Sequence, residues 1–156
     1  MRIEEIADIK DIFSIFHDGG ISFAEHRDDL LALEVDIQYL AERVKPEYRK
    51  FKVILYGFKD AEFSTWPSDL NSEPQKIDDV TTIFKPELEI LEASVKDNKI
   101  EVVCNQHSSE YDYCGGELLF AVDSAEVHDE AGKSYSIDEL DVICRGYWDD
   151  WAAKNE

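Results

Sequence analysis

Three cysteines and four histidines are the side chains with which this chain could hold a metal or attack a substrate, and their spacing sets the chemistry open to them. Cys104-Asn105-Gln106-His107 separates a thiol from an imidazole by two residues, and Cys114 follows seven positions later. Thiolate and imidazole are good zinc ligands, and a two-residue gap suits chelation from a turn. A fourth ligand would have to be Cys144, His128 or an acid such as Asp112, and the second close pair that marks a structural zinc site is missing. The other option is a thiol nucleophile: Cys114, with His107 as its base and the Gly115-Gly116 amides as oxyanion donors. Against both stands a plainer assignment. Cys104 ends the alternation Ile100, Val102, Cys104 and reads as a small buried apolar residue, while Gly115-Gly116 mark a bulge or the start of a strand. No residue is therefore given a catalytic role, and neither a metal nor a cofactor is expected.

His17-Asp18 resembles the adjacent His-Asp pair of metal-dependent phosphohydrolases, but that chemistry needs further ligands on helices. The remaining histidines, His26, His107 and His128, fall in turns or at strand ends. The dipeptide is better explained as turn chemistry. Neither GxGxxG nor GxxxxGK[ST] occurs, so no phosphate-cradling loop is indicated. Acids are so numerous that pairing any two of them as general acid and base carries almost no information.

The elements that would position these residues follow from periodicity. Ile3, Ile6, Ile9, Phe13 and Phe16 form a helical stripe with acids in its first turns, stopped at His17-Asp18-Gly19-Gly20, where glycine is free to take positive φ. A competing reading turns Asp11–Phe16 into a strand. Strands are expected at Ile21–Glu25 and Leu31–Ile37, the second alternating apolar and polar residues, followed by a helical turn over Gln38–Val44. Phe51–Phe58 is apolar on both faces and reads as a central strand, with Ala61–Trp66 as its partner across Lys59-Asp60. Pro67–Gln75 is the one linker-like stretch and is taken as a surface loop within a single domain spanning residues 1–156. Ile77, Val80, Ile83 and Phe84 suggest a short helix. Leu88–Val95 and Lys99–Asn105 form a hairpin across Asp97-Asn98, and Glu117–Val122 with Glu126–His128 continue the sheet. Ser136 and Glu139 form a capping-box pair ahead of a final helix whose stripe is Ile137, Leu140, Cys144, Tyr147, Trp148 and Trp151. Short turns favour antiparallel neighbours. The expected fold is α+β: an antiparallel sheet or sandwich of about seven strands with an N-terminal and a C-terminal helix packed on it. Trp148 and Trp151 are expected in the core.

Charge says more about function than any motif does. The 156 residues carry 36 acids against 16 Lys and Arg, a formal charge of −20, while 44% apolar and 12% aromatic content excludes a disordered acidic chain. Such a balance disfavours nucleic acid as a partner. The longest stretch without a charged residue is too short to span a bilayer. No signal peptide is visible at the start, and the few, odd-numbered cysteines fit reduced thiols and a cytoplasmic setting. Within Arg43–Lys59 the sign reverses, since Arg43, Lys45, Arg49, Lys50, Lys52 and Lys59 meet Glu47 alone, which suggests one basic strip on an acidic body.

The final helix should expose Asp138, Glu139, Asp141, Asp149 and Asp150 opposite its aromatic stripe, a face that can steer a basic protein at high on-rate. In composition and size the chain resembles small bacterial inhibitor or immunity proteins, which neutralise a basic toxin or nuclease through an acidic surface. That resemblance is one of class and carries over no residue. The expectation is a non-catalytic acidic protein-binding domain, monomer or homodimer, for a basic partner met through Asp138, Asp141, Asp149 and Asp150. The alternative is a small metal- or thiol-dependent enzyme built on Cys104, His107 and Cys114.

Overall fold

The structure, a computed structural model, describes residues 1–155 and shows an α+β fold with one ten-stranded antiparallel sheet. Helix α1 (Ile6–Ile15) begins later than the stripe suggested, because Ile3 bridges to Ala125 as extended chain. Asp18, not a glycine, takes the left-handed φ of 68° that ends the helix. Asp11–Phe16 is helical up to its cap, so the strand reading of this stretch fails.

The hairpin of β1 (Gly20–Arg27) and β2 (Leu30–Asp36) is followed by α2 (Gln38–Val44) and β3 (Lys50–Tyr56). Next come β4 (Lys59–Pro67), β5 (Lys76–Ile77) and the single turn α3 (Val80–Ile83), so Ile77 belongs to a strand and not to the helix. The hairpin β6 (Leu88–Lys96) and β7 (Lys99–Gln106) turns through Asp97 and Asn98, both at positive φ. The chain closes with β8 (Tyr113–Ala121), β9 (Ser124–His128), β10 (Ser134–Tyr135) and α4 (Ile137–Lys154). The sheet has ten strands where about seven were expected, and the two for which no segment was named, β5 and β10, are its two-residue outer strands.

The order across the sheet is β10-β9-β3-β2-β1-β6-β7-β8-β4-β5. One expected pairing is overturned: β4 does not follow β3 across Lys59-Asp60 but lies between β8 and β5. Both edges of β3 are already taken, by β2 and β9. Gly57 at φ 68° and Asp60 at φ 57° instead carry the chain away from β3 to the far side of the sheet.

That reach is possible because the sheet is strongly rolled. Phe58, just beyond β3, packs on Phe120 of β8 at 5.2 Å between ring centres, although those strands stand third and eighth in the order. Helix α1 fills the concave side. Phe13 meets Phe120 edge-on at 5.9 Å and Phe16 stacks on Phe51 at 5.1 Å, so one helix grips both halves. The strand ladder between the halves is short, Gly20 and Ile21 of β1 pairing with Glu89 and Leu88 of β6, and it is extended by backbone hydrogen bonds from Asp18 to Ile90 and from Ile90 to Gly19. On the outer face, Arg2 lies 3.4 Å over the Tyr56 ring, and Glu126 accepts from the Tyr56 hydroxyl at 2.6 Å. No helix among the described residues is long and apolar enough to cross a membrane.

Candidate partner-binding surface

Helix α4 starts as its sequence dictates. Ser136 accepts from the Glu139 amide, and the Glu139 carboxylate accepts in return from the Ser136 amide, satisfying two otherwise orphaned donors. Its apolar stripe is buried only at Leu140, with Ile137, Ile143, Cys144 and Tyr147 half-covered. Toward its C-terminus the helix leaves the body. There the expected core position of Trp151 is overturned, since its side chain is 50% exposed, and Trp148 is half-buried. An 18-residue helix is about 27 Å long, and α4 packs mainly on α1 and the seven-residue α2, which support only part of that length.

What supports the exposed end is an aromatic ledge. The Tyr39 hydroxyl donates to the His17 carbonyl at 2.7 Å, and its ring lies 4.6 Å from Tyr147. Burial, and then the Asp18 carboxylate, push the Tyr39 hydroxyl above its ordinary pKa, so it stays a donor. Trp148 stacks on His17 at 5.6 Å, and Trp151 packs edge-on against Trp148 at 5.9 Å.

The four aspartates of the expected contact fall into two conditions. Asp138 and Asp149 are exposed and make no ion pair among the described residues, whereas Asp141 pairs with Arg145 and Asp150 with Arg43 at 2.9 Å. At about 100° per residue, Asp138, Arg145 and Asp149 share one face. A cation that the sequence reading passed over therefore divides the acidic stripe. The basic strip is likewise dispersed. Lys45 pairs with Glu47 and Lys50 with Glu34, while Arg43 is held by Asp150 and Arg49 donates to Gln38.

A second acidic feature adjoins the ledge. His17 belongs to the ledge, and the next residue, Asp18, lines a cleft of about 380 Å³ with Gly20, Asp36, Glu87, Glu89, Gln106, His107 and Ser108. The cleft lies at the seam between the sheet halves, where three separate segments deliver four carboxylates: Asp18 after α1, Asp36 at the end of β2, and Glu87 with Glu89 at the start of β6. No single stretch of sequence could have signalled it. Glu89 accepts from Asn105 at 3.1 Å and meets His107 at 3.2 Å, which holds its carboxyl below the usual range. Asp18, Asp36 and Glu87 make no ion pair among the described residues. Nowhere among those residues do three His, Cys, Asp or Glu side chains stand close enough together to hold a metal ion.

The Cys104, His107 and Cys114 group is not brought together. Cys104 faces the core on β7, and burial pushes its thiol up to about 12. Cys114 is exposed, its sulfur 3.5 Å from the Trp66 carbonyl, at the bulge where β8 shifts register against Trp66 and Pro67. His107 is turned to Glu89. Comparison of the chain with protein-family models, with curated proteins and with solved structures gives no match in any of the three.

Proposed function

We propose that this chain is a non-catalytic binding domain that recognises a basic protein. The observation that carries the reading is Trp151, half-exposed on an aromatic base that ends at His17, one residue from the Asp18 that begins the carboxylate-lined seam cleft, with Asp149 on the opposite face of α4. Interfaces concentrate their energy in a few desolvated aromatic anchors, and opposite charge across the rim raises the encounter rate. A cationic side chain suits the cleft, whose carboxylates are too widely spaced to share one metal ion. Contact at the ledge would cover Trp151 while Asp138 and Asp149 act at longer range. Asp141 and Asp150 already have intramolecular partners and contribute less.

The test is capture from host lysate at low salt on the wild-type protein and, in parallel, on a Trp151→Ala, Asp149→Asn variant, with salt-step elution and mass spectrometry. A basic protein retained by the wild type, released as salt rises and lost from the variant is the expected result. The same proteins on both columns would remove the ledge from the account.

A further inference from the structure

Strand β1 stands fifth of ten in the sheet, yet past Ile21 it behaves as an outer strand. Its pairing with β6 stops at Ile21, and from Phe23 to Arg27 it pairs with β2 alone. Among the described residues, no backbone hydrogen bond from α3 or any loop reaches Ser22–Arg27 on the open side. Five of these six residues are exposed, including Phe23 at 51%. The two-residue turn Asp28-Asp29 makes Arg27 and Leu30 a hydrogen-bonded pair, and such pairs alternate along the ladder. Ala24 and His26 therefore turn their N–H and C=O groups away from β2, toward the gap. Their side chains line a groove of about 220 Å³ with Val80, Thr81, Phe84 and Lys85 on its far bank, while Glu25 stands on the opposite face.

We propose that the open side of β1 takes an extended segment of the basic partner as an added antiparallel strand. A free row of backbone groups is the usual template for such pairing. The side chains define the segment. Residues opposite Ala24 and His26 point into the groove, where Val80 and Phe84 stand with Lys85, and their neighbours point to the face of Glu25 and Arg27, which pair with each other at 3.2 Å, beside a turn carrying Asp28 and Asp29. An alternation of apolar and basic residues fits both faces. A second copy of this chain fits less well, because it brings another −20 of formal charge. The inference rests on the reading of this protein as a binder of basic proteins.

The probe is the peptide acetyl-Lys-Val-Lys-Val-Lys-Val-Lys-amide, with a control of identical charge in which each valine is N-methylated. In the free protein the amides of Ala24 and His26 should exchange rapidly while those of Phe23, Glu25 and Arg27 are protected. Adding the peptide should protect Ala24 and His26. N-methylation should weaken binding at least about tenfold, the loss expected for two or more hydrogen bonds. His26→Pro, tolerated in an edge strand whose N–H faces outward, should fold normally and weaken the unmodified peptide similarly. Prior protection of Ala24 and His26, no binding, or equal affinity for the N-methylated peptide would overturn the inference. Equal affinity accompanied by a change in Trp151 fluorescence would do so while leaving the ledge reading intact.

Discussion

Glu126 shows how a carboxylate is used in a chain with an excess of them. The hydrogen bond from Tyr56 is the main cause, with His128 and the N-terminal ammonium, of a pKa lowered to about 2. A depressed folded-state pKa contributes stability that is complete above the unfolded value of about 4.3 and is lost as pH falls toward 2. Glu126→Gln is expected to cost about 1–3 kcal/mol at neutral pH and to flatten the melting-temperature profile between about pH 4.3 and 2. An unchanged acid limb would show that the Tyr56 bond does not hold in solution. The cysteines give a second expectation at this scale. An alkylating reagent at neutral pH should label exposed Cys114 in the folded protein and reach Cys104 only after denaturation, as mass spectrometry can read. The inward place of Cys104 was legible because strand alternation fixes a face. The place of Trp151 was not, because helical spacing tells which residues share a stripe but not where the body under that stripe ends.

Elements defined by local chemistry were the most legible. The Asp97-Asn98 hairpin and the capped start of α4 each depend on a few neighbouring residues. Ser136→Ala is accordingly expected to cost about 1 kcal/mol in denaturant unfolding, the usual worth of an N-cap. What sequence left open was which strands meet across long separations. The misassigned partner of β3 is the clearest case, since two positive-φ residues redirect the chain and neither specifies where it goes. Gly116 is a trace of that long-range packing, for a Cβ there would run into the Ser64 carbonyl and the Phe63 ring of β4. Gly116→Ala is expected to cost about 2 kcal/mol or more. Gly132→Ala, at φ 85° with open space around it, should cost about 1 kcal/mol from backbone conformation alone. Equal losses at the two positions would argue against the β4–β8 pairing.

At the scale of the molecule, charge composition pointed to a class of partner, but only the fold shows which acids are free to act. Folding pairs Asp141 and Asp150 internally, leaves Asp138 and Asp149 open, and gathers Asp18, Asp36, Glu87 and Glu89 at the seam beside the aromatic ledge. The most direct measurement is the association and dissociation rate against ionic strength of a basic protein retained in the lysate capture proposed above, for the wild type, for Trp151→Ala and for the Asp138→Ala, Asp149→Ala double variant. Steering by the acidic surface requires a wild-type on-rate that falls steeply with salt and a shallower slope in the double variant. Anchoring by the ledge requires Trp151→Ala to raise the off-rate at least about tenfold with little change in on-rate. An on-rate indifferent to salt in all three proteins, with an unchanged off-rate in Trp151→Ala, would contradict the account.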